Sequence, residues 1–98
     1  MTKFRTSNRI TERDLDELAR RINELTNSPT TYSTPTTDGT YHSNIGHYFI
    51  GRAYGGCRLE RIVNTGGAIT CPLSSGYGTK RELYNSLTAF ISGLTVKY

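Results

Sequence analysis

Two short glycine-containing segments, Gly55-Gly56 and Thr65-Gly66, divide the middle of this 98-residue chain into three apolar runs. The runs are rich in β-branched and aromatic residues, and they span residues 45–54, 57–64 and 67–73. Two-residue turns that contain glycine join antiparallel strands, because tight hairpins need backbone conformations with positive φ. The spacing therefore predicts a three-stranded antiparallel meander, and Asp38-Gly39 predicts a further turn into a short fourth strand at residues 40–44.

A helical pattern lies on each side of these strands. Thr11 is a good N-cap before a first turn that carries Glu12 and Asp14, and Thr79 with Glu82 forms a capping box. An apolar stripe at helical spacing follows each start: Leu15, Leu18, Ala19, Ile22 and Leu25, then Leu83, Leu87, Phe90, Ile91 and Leu94. These patterns predict an α+β protein in the order α-β-β-β-α, with both helices packed on one face of a three- or four-stranded antiparallel meander sheet.

The length allows a single domain, residues 1–98. Residues 1–9 are expected to form a basic N-terminal arm, and residues 28–40, with six threonines and two prolines, are expected to form a connecting loop. No apolar run approaches the length that crosses a bilayer, and no apolar segment follows the charged N-terminus as in a secretory signal. We therefore expect a cytoplasmic protein with no membrane partner.

The strand register decides which residues share a face of the sheet. If both turns contain two residues, Tyr54 pairs with Cys57 and Asn64 pairs with Gly67. One face then carries Phe49, Gly51, Ala53, Ile62, Ile69, Cys71 and Leu73. We assign this face to the helices, because Gly51 allows a helix to approach closely, although a β-bulge in the first turn would reverse the first strand.

The positions of the two cysteines, Cys57 and Cys71, predict neither a disulfide nor a metal site. In this register Cys71 pairs with Glu60, so Cys57 lies three residues away along the neighbouring strand, on the opposite face and beyond disulfide reach. Neither C-x-x-C nor H-x-x-x-H spacing occurs, so no metal and no cofactor are predicted. Glu60 is expected to pair with Arg58 or another cation, and no nucleophile has a recognisable base, so an enzyme is not predicted.

The second face is the candidate for binding. Ile50, Leu59 and Val63 make it too apolar for open water, so a ligand or a second subunit is expected to cover it. Tyrosines and arginines are interleaved with them, at Tyr48, Arg52, Tyr54 and Arg61. Guanidinium groups bind phosphate, and aromatic rings stack on bases, so these residues suit a nucleotide ligand. The same residue types are enriched in protein interfaces, so the sequence does not choose between a ligand and a second subunit.

Arg52 and Arg61 are expected to lie diagonally on neighbouring strands, about 7 Å apart, and to clamp an anionic group. Two like charges on a half-apolar sheet are unfavourable unless an anion or a carboxylate lies between them. Tyr48 or Tyr54 would then stack a base. A second phosphate contact is expected at the start of the second helix, from Tyr77, Thr79, Lys80 and Arg81.

A longer set of spaced residues carries a family resemblance: Tyr54-Gly55-Gly56, Leu59, Arg61, Asn64, Gly66-Gly67, Gly76, Lys80-Arg81-Glu82-Leu83-Tyr84, Ala89-Phe90-Ile91 and Gly93-Leu94. Within residues 41–94 this set resembles a family of small accessory proteins encoded by tailed bacteriophages. The resemblance implies a non-enzymatic protein of the host-cell cytoplasm that blocks or sequesters a host component. Together with the tyrosines and arginines, it suggests counter-defence by capture of a small nucleotide-type immune signal.

A shorter run, Gly76-Tyr77-Gly78-Thr79-Lys80-Arg81, resembles the start of the last helix in double-stranded-RNA-binding domains, which share the α-β-β-β-α order. Tyr84 stands where that family has a lysine, and Leu87 replaces a small residue. The resemblance therefore implies phosphate contact at this helix start more than duplex recognition.

Three functions of different classes are left open. The first is nucleotide capture, and the second is nucleic-acid binding through Lys80, Arg81 and the arm residues Lys3, Arg5 and Arg9. The third is inhibition of a host enzyme through the sheet face. The net charge of +4 is a mild basic bias that does not choose among them. The small size and the apolar face also predict a homo-oligomer, most simply a dimer.

Overall fold

In the part of the chain that the structure describes, a helix stands at each end and five antiparallel strands lie between them in two small sheets. The structure is a computed structural model, and it describes residues 9–73 and 76–96; most of the predicted basic arm lies outside these residues. The elements are α1 Glu12–Leu25, β1 Ser33–Pro35, β2 Tyr41–Ser43, β3 Tyr48–Ala53, β4 Gly56–Ile62, β5 Ile69–Thr70 and α2 Lys80–Thr95. The predicted α+β class is confirmed.

Both predicted helix starts are confirmed as capping boxes. The Thr11 hydroxyl accepts from the Asp14 amide at 3.1 Å, and the Asp14 carboxylate accepts from the Thr11 amide at 2.9 Å. Thr79 and Glu82 exchange the same pair of bonds at 3.0 and 2.9 Å. Each box satisfies amides that the first helical turn leaves without a partner, which fixes where the helix begins.

The register is as predicted between β4 and β5 but not between β3 and β4. Ile62 pairs with Ile69, whereas Ala53 pairs with Gly56, so the first turn consists of Tyr54 and Gly55. Both turn residues have positive φ, 55° and 74°, as the common two-residue hairpin turn requires. The pairing shifts by two residues from the expected one, and because side chains alternate with period two, the predicted grouping of residues into faces survives.

The assignment of the faces to the helices was wrong. α1 and α2 pack on the face that carries Ile50 and Leu59, and the shared core contains Leu15, Ala19, Ile22, Tyr48, Ile50, Cys57, Leu59, Leu83 and Leu87. The opposite face carries the buried carboxylate of Glu60, which has polar partners in Arg58 and Tyr77. Gly51 does not admit a helix; it leaves room for the Glu60 carboxylate, which fills the space of a Cβ at that position.

The threonine-rich segment is not a plain connector. Part of it forms β1, which pairs with β2 in a sheet of its own, with Thr34 opposite His42. β2 lies inside the predicted fourth strand, but it does not join the meander. A hydrogen bond of 3.0 Å from the Ser43 amide to the Thr65 carbonyl attaches this hairpin to the turn after β4.

The two helices begin at the same end of the three-stranded sheet. Glu12 near the start of α1 pairs with Arg52 at the end of β3, and Asn23 near its end bonds to Tyr48 at the beginning of β3. Gly78, just before α2, bridges to Cys57. Farther along α2, the Phe90 ring lies 6.3 Å from the Tyr48 ring, so α1 and α2 both run from the β3–β4 turn towards the beginning of β3. In the described residues, no helix is long and apolar enough to cross a membrane.

Candidate functional site

A cleft of about 650 Å³ opens at the end of the molecule where both helices begin. Its walls come from the first turn of α1, the end of β3, the β3–β4 turn and the start of α2. The lining residues with polar or reactive side chains are Glu12, Arg52, Cys57, Thr79 and Lys80. The partial positive charges of two parallel helix starts meet here with two cationic side chains.

Hydrogen bonds between backbones hold the floor of the cleft. The Cys57 amide donates to the Gly78 carbonyl at 2.9 Å, and the Gly78 amide donates to the Cys57 carbonyl at the same distance. Gly56 allows this approach, since a Cβ there would lie 2.9 Å from the Gly78 oxygen. The start of α2 is thereby fixed against β4.

Three of the predicted ligand residues, Arg52, Thr79 and Lys80, line this cleft. Tyr54, in the β3–β4 turn, is the chain neighbour of the lining residues Ala53 and Gly55 and is 95% exposed. Arg81 follows Lys80 as an exposed residue of α2. The structure thus brings Arg52, Thr79 and Lys80 together as predicted for a phosphate site. The site lies in a cleft between the two helix starts, whereas we expected it on the open face of the sheet.

Arg52 is held by carboxylates of α1. Its Nε lies 3.3 Å from Glu12 Oε1, and its Nη2 lies 3.2 Å from Asp16 Oδ1. A third bond, from Nη1 to the Ile50 carbonyl at 3.1 Å, ties the guanidinium to its own strand. All three charged side chains are more than one-third exposed, so solvent screens these ion pairs.

The predicted clamp of Arg52 and Arg61 is not formed. Arg61 pairs with Tyr48, four residues along β3 from Arg52, which separates the two positions by about 13 Å. The Arg61 guanidinium lies 5.1 Å from the centre of the Tyr48 ring, and its Nε bonds to the Gly46 carbonyl at 3.4 Å. The predicted clamp was wrong because the β3–β4 pairing differs from the expected one by two residues, which moves Arg52 and Arg61 apart along the strands.

Tyr77 belongs to a polar cluster on the sheet face that points away from the helices. Its hydroxyl donates to Glu60 at 2.9 Å, Arg58 pairs with the same carboxylate oxygen at 2.9 Å, and the Arg58 guanidinium lies 4.3 Å from the Tyr77 ring centre. The bond to Glu60 raises the pKa of the Tyr77 phenol. The expected Arg58–Glu60 pair is confirmed, whereas no sequence signal pointed to Tyr77 as its third member.

Cys57 is a buried thiol in the cleft wall. Burial raises the pKa of the Cys57 thiol, and its Sγ lies 3.6 Å from the Gly78 carbonyl. Cys57 and Cys71 form no disulfide with each other. Within residues 9–73 and 76–96, no group of three or more His, Cys, Asp or Glu side chains is arranged to hold a metal ion.

Comparisons of the chain with protein-family models, with curated proteins and with solved structures give no match. A function for this chain has to be argued from its own residues.

Proposed function

We propose that this protein binds a small nucleotide in the cleft and holds it without chemical conversion. The observation that carries the proposal is the convergence of Arg52, Lys80 and two parallel helix starts on one cavity of about 650 Å³. Cavities of roughly 300–1,000 Å³ are typical of small-molecule sites. The macrodipole at a helix start favours phosphate, and a cation beside it adds charge-assisted hydrogen bonds.

Tyr54 supplies the surface for the base. Tyr54 stands in the chain between Ala53 and Gly55, which line the cleft, and its side chain is almost fully exposed, with the Tyr77 ring 5.7 Å away. An exposed tyrosine offers a base a stacking face at little conformational cost. A ligand with its phosphate between Arg52 and Lys80 and its base on Tyr54 therefore uses both chemical features of the site.

The biological part of the proposal comes from the phage-protein resemblance. A binder of this kind would capture a nucleotide-type immune signal in the cytoplasm of the host cell and so act in counter-defence. The cleft lies within one chain, so this function does not require a second subunit. The helices cover the apolar face from which a dimer was expected, so the dimer stays a separate prediction that rests on the small size alone, and light scattering at micromolar concentration tests it.

Titration calorimetry with adenosine diphosphate tests the proposal, with adenosine as the control that lacks phosphate. Arg52→Ala and Lys80→Ala are each expected to weaken binding about tenfold, since each removes a charge-assisted contact that is partly exposed. Arg61→Ala is the matched control, because it removes the same charge from the far end of the sheet. Equal losses in Arg52→Ala and Arg61→Ala, or no binding of nucleotides by the parent, would contradict the proposal.

Nucleic-acid binding through the start of α2 is the competing function, and salt distinguishes the two. A duplex held by several phosphates should lose affinity steeply between 50 and 200 mM salt, roughly 10³-fold or more for six contacts. Adenosine diphosphate in the cleft contacts far fewer cations than such a duplex and should lose much less affinity over the same range. A steep salt dependence with an RNA duplex, and no binding of the diphosphate, would favour the nucleic-acid function.

A further inference from the structure

We propose that Arg52 is an exchangeable arginine, which leaves Glu12 and Asp16 and binds the phosphate when a ligand enters the cleft. The two carboxylates then act as competitors of the ligand and set the affinity of the site. This inference rests on the proposed nucleotide function and names the residues that regulate it.

The charges around the cleft create the need for an exchange. Arg52 and Lys80 bring two positive charges, and Glu12 and Asp16 bring two negative ones, so the four side chains sum to zero. A phosphate that enters while Arg52 stays paired meets only the partial charges of the helix starts and Lys80. Release of Arg52 from the carboxylates gives the ligand a full guanidinium partner.

The contact geometry makes Arg52 easy to release. Its ion pairs are 3.3 and 3.2 Å long, and the Glu12 and Asp16 side chains are 59% and 60% exposed. Carboxylates that are this exposed stay hydrated when the arginine leaves, so little free energy is lost. The bond from Nη1 to the Ile50 carbonyl keeps the guanidinium at the cleft during the exchange.

Arg58 shows the opposite arrangement in the same sheet. It pairs with Glu60 at 2.9 Å, and the Glu60 side chain is only 6% exposed. Removing Arg58 from this partner would leave a charge uncompensated in the protein interior, which is strongly unfavourable. The two arginines are therefore distinguished by the exposure of their partners, and Arg52 lines the cleft.

The test measures the affinity of Glu12→Gln, Asp16→Asn and the double variant for adenosine diphosphate. Each single change is expected to tighten binding about two- to fivefold, the range that exposed ion pairs support. Glu24→Gln is the matched control: it removes a carboxylate from the same helix that pairs with Arg20, twelve residues or about 18 Å beyond Glu12. Its affinity should equal that of the parent.

The outcomes separate this inference from the function on which it rests. If the parent binds the diphosphate and the double variant binds equally or more weakly, the carboxylates do not compete and the exchange is overturned. If all variants, Glu24→Gln included, gain affinity equally, the effect is one of net charge and the exchange is again overturned. If neither the parent nor the double variant binds any nucleotide, the nucleotide site itself is overturned. Tighter binding in the cleft variants alone supports the exchange.

Discussion

The carboxylate of Glu60 lies beside Gly51 on the neighbouring strand, in the space that a Cβ at residue 51 would occupy. Glu60 cannot easily move away, because it is 5% exposed and accepts hydrogen bonds from Arg58 and Tyr77. Gly51 is therefore the residue that allows a buried carboxylate on the outer face of the sheet.

Gly51→Ala should destabilise the protein by about 2 kcal/mol, since the new methyl group displaces Glu60 from its partners. Urea unfolding followed by circular dichroism measures the change. Gly93→Ala serves as the control, because a Cβ at this position in α2 meets nothing within 4 Å and alanine favours the helix. Equal unfolding free energies for Gly51→Ala and the parent would show that Glu60 moves without cost.

The Tyr77–Glu60 bond should appear in the pH dependence of stability. Because the bond raises the pKa of the Tyr77 phenol above its ordinary value of 10.0, the folded state holds the phenolic proton more tightly than the unfolded state does. The resulting stabilisation is fully present below pH 10 and is lost as the pH rises through the higher pKa of the folded state. In the Tyr77→Phe variant, the free energy of unfolding measured in urea should not show this decrease between pH 8 and 11. An identical alkaline decrease in both proteins would contradict the prediction.

The elements that the sequence predicted correctly are those set by local chemistry. Thr11 and Thr79 each accept a hydrogen bond from the amide three residues later in the chain. The capping pattern therefore depends only on residues that are close in sequence, and both helices begin where it predicts. The β3–β4 register was missed because Tyr54 takes the positive φ that we assigned to the glycines. The choice of face was missed because both faces carry large apolar side chains, so it depends on how the helices pack against the sheet and not on any one strand.

The candidate site was only partly predictable for the same reason. Lys80 and Thr79 were found because a helix start is a local feature, whereas the pairing of Arg52 with Glu12 and Asp16 joins residues at least 36 positions apart. Asn23 was missed although a signal existed: it lies four residues after Ala19, in the phase of the apolar stripe of α1. A polar side chain at such a position needs buried partners.

Those partners are the backbone of β3 at its free edge. The Asn23 side chain accepts from the Tyr48 amide at 2.8 Å and donates to the Tyr48 carbonyl at 3.0 Å, so it occupies the position of a neighbouring strand. Asn23→Ala should cost about 2–4 kcal/mol, because two buried backbone groups lose their bonds. Asn85→Ala, at an exposed position of α2, should change the unfolding free energy by less than about 0.5 kcal/mol. Similar losses in the two variants would refute this role of Asn23.

Cys57 gives a direct measure of occupancy of the cleft. It lines the cavity, is 5% exposed, and has a pKa raised by burial, so little thiolate is available to a thiol reagent near neutral pH. In a Cys71→Ser variant, Cys57 should react with Ellman's reagent more slowly in the folded protein than in urea, with a rate that rises with pH. Saturating adenosine diphosphate should slow this reaction further, whereas adenosine should not. Labelling at the same rate with and without the diphosphate, in a sample shown to bind it, would place the ligand outside the cleft.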